Sequence, residues 1–518
     1  MTVTCSHRPT APWLGALILA LLLAPQSAVC QAQAAPQPPA TPTDEPRWPP
    51  ALQQALQATA VPASAVSLLV IPVDGGPPRL STGADTVRTM ASVMKLFTTG
   101  VALQTLGPAF TWRTQVALGG RLRPNGVLEG PLLMRGDGDP SLVIERVALM
   151  MSRLRAAGLR DIHGDWLLDR SAFAAVPEHD AAAFDKQPLK THNAGPDALL
   201  VAHQALTLRL RPDVANPGWA RVSMEPELGG VRLDAKVPLD DKAACSDWRE
   251  SMALELRPDA PPALGWTITL KGRYPTACGE RDWPVHWPGG VHQDHTERVL
   301  DMAWRRAGGL LKGQVQASGP WPFETPAWFT WESPPLATVV RDINKFSNNV
   351  MARQLFLTLG RDAAPTELSP LGPATLDAAR ARVTKHVVQA TTESSTGTSP
   401  CGNGVLVMDN GSGLSRTEQA SAACVGRWLQ ALWASPAMPD LLASLPMAGV
   451  DGTARRMASV AGRAHLKTGS LDGVASVAGV VLGDSGRRYV VVGVVNDPKA
   501  DAARPLLKAL IEWTVHDQ

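Results

Sequence analysis

The sequence predicts an α/β protein, more closely an α+β protein, whose core is interrupted by a β-rich insertion. A strand-like segment and a helix open the folded region, and helices, two long apolar strands and a last helix close it. Between them, residues 121–290 hold short β-like runs separated by Pro, Gly and Asp clusters. The chain has 518 residues, of which 45% are apolar, so it is long enough to bury more than one core.

The N-terminal residues are typical of an export signal. Arg8 precedes an unbroken apolar run, 13–24, which is too short to span a bilayer but suits a secretory signal. Ala32-Gln33-Ala34 is an A-x-A cleavage site, so we expect residues 1–34 to be removed. A lipoprotein site ending at Cys30 is the weaker alternative, because Val29 is a poor residue before such a cysteine.

Residues 35–50 form a Pro-rich linker, and the predicted core follows in two pieces, 51–120 and 291–518, around the insertion at 121–290. Apolar periodicity and turn residues predict each element. In chain order these are a strand at 65–73, helices at 89–107, near 145–157, and at 296–308, 336–360, 372–389 and 417–433, strands at 474–482 and 489–496, and a helix at 501–515.

Charge and cysteine usage exclude several classes of protein. The formal net charge is +2, which offers no electrostatic basis for binding nucleic acid or an anionic membrane. Cys5 and Cys30 fall in the signal region, and the other four cysteines allow three pairings. The local pairing joins Cys245 to Cys278 and Cys401 to Cys424, which suits an oxidising compartment better than four free thiols.

Several catalytic and metal-binding motifs are absent from the sequence. It contains no C-x-x-C, G-x-S-x-G, G-x-G-x-x-G, Walker A or H-E-x-x-H motif. His292 and His295 are three residues apart, but two histidines without a third ligand are more typical of solvated side chains than of a metal site. We therefore predict no metal and no cofactor.

Three short motifs each occur once, and in an order that indicates active-serine chemistry. They are Ser92-x-x-Lys95 on a helix, Ser347-x-Asn349 and Lys467-Thr468-Gly469 on a strand. Each motif alone is weak, since a capped helix or a polar strand explains it. Together they form the active-serine set of penicillin-binding proteins and serine β-lactamases.

The residue types fit nucleophilic catalysis by a serine. Ser92 lies in the first turn of its helix, and Lys95 is three residues on, on the same face. Lysine is a poor base at its ordinary pKa, so desolvation and a second cation, Lys467, are needed to lower it. Backbone N–H groups of Ser92 and Ser470 would form the oxyanion hole.

The same hypothesis gives the remaining motif residues a role. Ser347 can relay a proton and Asn349 can hold a substrate amide. Lys467, Thr468 and Gly469 lie on a strand edge, which suits binding of a terminal carboxylate.

The chain resembles, over roughly residues 50–515, the D-alanyl-D-alanine carboxypeptidase/endopeptidase family of low-molecular-mass class C penicillin-binding proteins. The long gap between Ser92 and Ser347, which holds the insertion, is similar to that family, as are further runs. These are Gly136-Asp137-Gly138-Asp139-Pro140-Ser141-Leu142, Pro196-Asp197-Ala198-Leu199-Leu200, Asn410-Gly411-Ser412-Gly413-Leu414-Ser415-Arg416, Ala448-Gly449-Val450-Asp451-Gly452-Thr453 and Lys467-Thr468-Gly469-Ser470-Leu471-Asp472-Gly473-Val474. A family-like Gly272-Arg273-Tyr274-Pro275 run before Cys278 supports the local disulfide pairing.

The resemblance implies a helix-flanked antiparallel sheet with a helical subdomain, a transpeptidase-like fold interrupted by β-rich domains. It also implies a periplasmic serine DD-peptidase that acts on peptidoglycan stem peptides, is acylated by β-lactams at Ser92 and makes at most peripheral membrane contact. Two alternatives remain: a β-lactamase on the same fold, which would need a dedicated deacylating carboxylate, and a non-catalytic cell-wall binding protein. No convincing E-x-x-L-N follows the S-x-N motif, and the intact catalytic set disfavours a binding protein.

Overall fold

A computed structural model of the chain describes residues 48–174, 181–260, 265–287, 294–322, 325–361 and 372–517. The predicted signal at 1–34 and the linker up to residue 47 lie outside these ranges, as does His292. The last predicted linker residue, Pro50, instead begins a helix. Within the described ranges, no helix combines the length and apolarity needed to cross a bilayer.

The helices of the described ranges are numbered in chain order. They are α1 (Pro50–Gln57), α2 (Lys95–Thr105), α3 (Ile144–Ala156), α4 (His295–Arg306), α5 (Leu336–Phe346), α6 (Asn349–Thr358), α7 (Leu376–Thr391), α8 (Ala422–Trp433), α9 (Met438–Ser444) and α10 (Arg504–Val515).

The strands of the described ranges have two to nine residues, and the two longest, β23 and β24, come last. They are β1 (Val66–Pro72), β2 (Leu80–Thr82), β3 (Val87–Arg88), β4 (Arg113–Leu118), β5 (Arg121–Leu122), β6 (Val127–Glu129), β7 (Leu132–Arg135), β8 (Asp161–Ile162), β9 (Trp166–Asp169), β10 (Ala205–Pro212), β11 (Trp219–Glu225), β12 (Val231–Ala235), β13 (Val237–Asp240), β14 (Met252–Pro258), β15 (Trp266–Gly272), β16 (Tyr274–Pro275), β17 (Arg281–His286), β18 (Leu310–Leu311), β19 (Val315–Ser318), β20 (Phe329–Glu332), β21 (Ala420–Ser421), β22 (Ala464–Leu471), β23 (Val474–Leu482) and β24 (Arg488–Asn496).

The core is an antiparallel five-stranded sheet with helices on both faces. Its order is β2-β1-β24-β23-β22, so the first and last strands of the folded chain lie side by side. Alternate residues of β24 point to opposite faces: Val490, Val492 and Val494 pack towards α2 and α8, whereas Val491 and Val495 pack towards α1 and α10. Both faces are covered, which explains why β23 and β24 are apolar almost throughout.

A second core occupies the middle of the chain, in the predicted β-rich region. It contains two further five-stranded sheets, β19-β9-β7-β4-β20 and β16-β13-β11-β10-β17, with smaller sheets and helices α3 and α4. Strand β4 and strands β18–β20 belong to these sheets although they lie outside 121–290. The β-rich region therefore extends from Arg113 to Glu332, because strands before and after the predicted boundaries pair with those inside it.

One predicted helix is divided in two. The apolar pattern predicted a continuous helix over 336–360, but α5 ends at Phe346 and α6 begins at Asn349. Ser347 adopts the left-handed conformation, with φ of +56°, and Asn348 caps α6 by accepting the N–H of Met351 at 3.1 Å. The apolar periodicity continues across the break, so the sequence pattern did not predict that one helix ends and another begins there.

Both predicted disulfides are present. Cys245 is bonded to Cys278 within the β-rich region, and Cys401 is bonded to Cys424 on α8. The local pairing is therefore the one that the structure forms, and each bridge links residues of one core.

Candidate active site

Three segments of the core meet where the predicted motif residues lie. The first is a 3-10 turn, Ala91–Met94, that runs directly into α2 and carries Ser92. The second is the junction of α5 and α6, and the third is the edge strand β22. The S-x-x-K spacing places Ser92 and Lys95 on one side of the turn, as predicted, although Ser92 precedes the α-helix itself.

Ser92 and Lys95 are in direct contact. Lys95 Nζ lies 3.0 Å from Ser92 Oγ and donates to Asn349 Oδ1 at 2.5 Å and to the backbone carbonyl of Ser412. The Lys95 side chain is fully buried. The lysine thus joins the nucleophile candidate to the second motif.

Ser347 and Lys467 form a second contact beside the first. Lys467 Nζ donates to Ser347 Oγ at 2.9 Å and to the backbone carbonyl of Thr468 at 2.7 Å. Lys467 is also fully buried. It lies on β22, the edge strand that pairs with β23. The structure therefore brings all five of the main predicted residues into one cluster.

Burial sets the protonation of both lysines. It lowers the pKa of Lys95 well below its ordinary value, and the charges of Lys467 and Arg353 lower it further, while Glu418 raises it. Burial lowers the pKa of Lys467 to about 7. Desolvation and a second cation, the two causes predicted from the sequence, both lower the pKa of Lys95.

The conformation of Ser347 aims its side chain at the cluster. A left-handed, non-glycine residue is strained, and it persists only where its surroundings hold it. The break lets α5 end with Ser347 beside Lys467 and α6 begin with Asn349 beside Lys95. In a continuous helix, side chains two residues apart point in different directions, so Ser347 and Asn349 could not both face the cluster.

Glycines allow two backbone segments to approach Ser92. A Cβ at Gly469 would lie 2.9 Å from Ser92 N and 2.8 Å from the Met90 carbonyl, and a Cβ at Gly413 would lie 2.8 Å from Ser92 N. Only glycine permits the K-T-G strand and the loop at 409–413 to pack this closely. The third residue of the K-T-G motif is thus required by sterics.

The other two residues predicted to bind substrate lie at the rim. Thr468 Oγ1 donates to Thr453 Oγ1 at 2.7 Å, which places the run Ala448–Thr453 beside the strand edge. The Ser470 hydroxyl accepts from Arg504 at 2.9 Å, so this side chain is held by α10 and does not join the lysine cluster. The oxyanion role predicted for Ser470 concerns its backbone N–H and stays a prediction.

Sequence reasoning missed three contributors to the site. Glu418 is 1% exposed and accepts N–H groups of the loop at 409–413. The Ser412 carbonyl accepts from Lys95, and Arg353 on α6 adds a buried charge whose pKa is lowered to about 10 by burial. The one available signal was an acidic residue shortly after the run Asn410–Arg416, a run rich in glycine.

The arrangement suits acyl transfer to a serine hydroxyl. A buried amine that touches the hydroxyl can accept its proton, and a second hydroxyl–amine pair lies alongside to pass a proton on. In the described ranges, no group of three or more His, Cys, Asp or Glu side chains is placed to hold a metal ion.

Comparison with known proteins gives one family match and similar relatives. Residues 50–516 match the D-Ala-D-Ala carboxypeptidase 3 (S13) family. A D-alanyl-D-alanine carboxypeptidase of Actinomadura sp. (strain R39) is 28% identical over an alignment of 476 residues that covers 86% of this chain and 79% of that protein. The crystal structure of penicillin binding protein 4 (dacB) from Haemophilus influenzae superposes with a TM-score of 0.68 at 18% identity, covering 89% of this chain and 98% of that one. A second structure of it, complexed with a β-lactam, has a TM-score of 0.64 at 19% identity, with coverage of 89% and 99%.

Proposed function

The chain belongs to the D-Ala-D-Ala carboxypeptidase 3 (S13) family, and we propose that Ser92 is the nucleophile with which it cleaves D-Ala–D-Xaa bonds in peptidoglycan stem peptides. Lys95 is the base, Ser347 and Lys467 form the proton relay, and Asn349 and the K-T-G strand hold the substrate. The family match supports the reaction class, and the contacts of Lys95 support the roles.

The observation that carries the proposal is the set of partners around Lys95 Nζ. Asn349 Oδ1 and the Ser412 carbonyl are acceptors, so they take the two N–H bonds of a neutral amine. The lone pair of that amine is then directed at Ser92 Oγ, 3.0 Å away. Burial and the neighbouring cations favour this neutral form.

Acylation follows from this geometry. Ser92 Oγ attacks the carbonyl carbon of the scissile bond while its proton moves to Lys95 Nζ. Backbone N–H groups of Ser92 and Ser470 stabilise the oxyanion. The C–N bond then breaks, the leaving amine takes a proton through Ser347 from Lys467, and an ester on Ser92 remains.

Hydrolysis of the ester completes the reaction. A water molecule attacks the acyl carbon and gives its proton through Ser347 to Lys467, which is thereby restored. The oxyanion collapses, the ester C–O bond breaks, and Ser92 Oγ takes its proton back from Lys95. The leaving group is free D-Ala in the carboxypeptidase reaction and a cross-linked strand in the endopeptidase reaction, and the same steps serve both.

The K-T-G strand suits a substrate that ends in a carboxylate. Lys467 supplies positive charge, and the Thr468 hydroxyl lies at the exposed edge of β22 beside Thr453. A β-lactam presents a strained amide next to a carboxylate, so we expect it to bind in the same way and acylate Ser92. Its leaving group stays attached, and both oxygens of Glu418 are occupied by backbone N–H groups, so deacylation should be slow.

Intact mass and product analysis test the proposal. Wild type should gain the mass of a fluorescent penicillin and release D-Ala or cleaved strands from cross-linked muropeptides. Ser92→Ala should lose both activities and keep its fold, since it removes one hydroxyl and its hydrogen bond with Lys95, a loss of about 1 kcal/mol. Labelling of Ser92→Ala would contradict the assignment of the nucleophile.

The same measurement separates the alternatives. Rapid turnover of penicillin by wild type would favour the β-lactamase hypothesis. Tight binding of muropeptides without acylation or cleavage would favour the non-catalytic binding protein.

We also propose that the enzyme acts in the periplasm after cleavage near Ala34. The A-x-A site and the two disulfides support this location, because disulfides persist in oxidising compartments. N-terminal sequencing of the secreted protein should begin at Ala35. Retention of residues 1–34 in active protein would contradict the cleavage.

A further inference from the structure

Glu418 is a buried carboxylate that the proposed steps do not use. Its Oε1 accepts the backbone N–H groups of Asp409 at 3.0 Å, Asn410 at 3.1 Å and Gly411 at 2.6 Å, and its Oε2 accepts that of Gly413 at 2.6 Å. The side chain is 1% exposed. One carboxylate thus holds four N–H groups of a five-residue loop in place.

That loop contacts the catalytic helix at two points. The Ser412 carbonyl accepts from Lys95 Nζ, and the Gly411 carbonyl accepts from Thr98 Oγ1 at 2.7 Å. Ser412 lies between the two loop residues, Gly411 and Gly413, that Glu418 holds most tightly. The position of an acceptor for Lys95 therefore depends on Glu418, although the two side chains do not touch.

The charge of Glu418 acts on the same amine. Lys467 on β22 and Arg353 on α6 are the cations that act on Lys95, and Glu418 is the anion that opposes them. Burial raises the pKa of Glu418, and the charge of Asp409, which is paired with Arg380 at 2.5 Å, adds to this, whereas the hydrogen bonds from the loop N–H groups lower it and favour the carboxylate. Without Glu418, the buried cluster would hold cations alone around Lys95.

We propose that Glu418 is a positioning residue for Lys95: its carboxylate holds the loop that aims the Ser412 carbonyl at Lys95 Nζ, and its negative charge offsets those of Lys467 and Arg353. This role rests on the proposed function of Lys95 as the base. It adds a residue that no motif of the sequence contains.

The test is the pH dependence of Ser92 acylation by a fluorescent penicillin in wild type and Glu418→Gln. Removal of the anion lowers the pKa of Lys95, so the acid limb of the rate profile should move to lower pH. The plateau rate should also fall about tenfold, because a glutamine amide cannot accept the Gly413 N–H while its oxygen accepts the others. An unmoved limb, or one moved to higher pH, would overturn the proposal.

Two further variants separate charge from geometry. Glu418→Asp keeps the charge but is too short to reach both ends of the loop, so it should keep the wild-type limb with a lower plateau. If Glu418→Gln does not fold, this variant decides alone: a displaced limb or an unchanged plateau would contradict the proposal. Asp169→Asn, which alters a fully buried carboxylate in the β-rich region, is the control and should leave the limb in place.

The outcome for wild type distinguishes this proposal from the proposed function. Absence of label on Ser92 would contradict both. Labelled wild type with a Glu418→Gln profile equal to it would overturn the role of Glu418 alone.

Discussion

At the scale of single residues, the site depends on two lysines that are buried together. A buried ammonium is costly, and two of them disfavour each other's charge. Burial lowers the pKa of Lys467 to about 7, and the charge of Lys467 in turn lowers that of Lys95. The pair therefore keeps a neutral amine beside Ser92 at a pH where a free lysine is charged.

This coupling predicts the direction of a pH shift. Lys467→Met removes a cation that lowers the pKa of Lys95, so the pKa should rise and the acid limb of acylation should move to higher pH. The shift is opposite in sign to the one expected for Glu418→Gln. Penicillin labelling rates between pH 4.5 and 9.5 measure it.

The matched control for this variant is Lys345→Met. Lys345 is also buried, but it pairs with Asp451 at 2.6 Å and is not among the charges that act on Lys95. Lys345→Met should therefore leave the acid limb of the acylation profile at the pH found for wild type. A limb that Lys467→Met leaves unchanged would show that the two amines are not coupled.

At the scale of elements, the approach of β22 to the turn that carries Ser92 depends on one glycine. A Cβ on Gly469 would lie 2.3 Å from Ser476 Oγ and 2.8 and 2.9 Å from backbone atoms of Met90 and Ser92. The backbone atoms cannot move aside as a flexible side chain does. The strand would have to shift away from Ser92.

We therefore expect Gly469→Ala to fold but to acylate about 100-fold more slowly, the effect of a displacement of roughly 1 Å at a reacting centre. Gly319→Ala, where a Cβ has open space around it, is the control and should acylate as wild type does. Labelling rates and thermal unfolding measure both effects. A wild-type labelling rate in Gly469→Ala would show that β22 accommodates the added methyl group without moving away from Ser92.

The disulfides also act between elements, and mapping of peptides under non-reducing conditions should recover both. Cys245–Cys278 and Cys401–Cys424 close loops of 33 and 23 residues. Loop-closure entropy values each bridge at about 3–4 kcal/mol of unfolding free energy. A Cys245–Cys401 peptide would contradict the local pairing.

At the scale of the whole molecule, the β-rich region is docked on the helix that starts with Asn349. Gln354 Nε2 donates to the carbonyls of Asp197 at 2.7 Å and Gly138 at 3.2 Å, and Arg353 donates to the Ala194 carbonyl at 2.9 Å. These carbonyls belong to or adjoin the family-like runs at 136–142 and 196–200. These two family-like runs thus hold the two regions together.

We predict that the β-rich region keeps its fold without a continuous chain, and that the catalytic core stays intact around it. Thermolysin should cut at the turn between β10 and β11, where Val214 is 96% exposed. The nicked protein should retain its near-ultraviolet circular dichroism and its acylation by penicillin. Loss of acylation together with the first cut would show that the two regions are one cooperative unit.

Much of the fold and the site follows from local sequence. Helical and strand periodicity placed β23, β24 and most helices within a few residues, because each pattern records which face of one element is buried. Ser92 and Lys95 are three residues apart, so their contact is set by one turn of helix. The order of the three motifs was sufficient to indicate active-serine chemistry.

The sequence by itself therefore predicted the candidate reactive groups, most of the element types, the local disulfide pairing and, as an expectation, the export signal. Tertiary structure alone decided which atoms meet Lys95, since Asn349 and Ser412 are 254 and 317 residues away from it along the chain. It also decided the break at Ser347, the contacts of Glu418 with the loop at 409–413 and which strands outside 121–290 pair with those inside it. The physical reason is that these features depend on contacts between distant segments, whereas periodicity and motifs record only neighbours within a few turns.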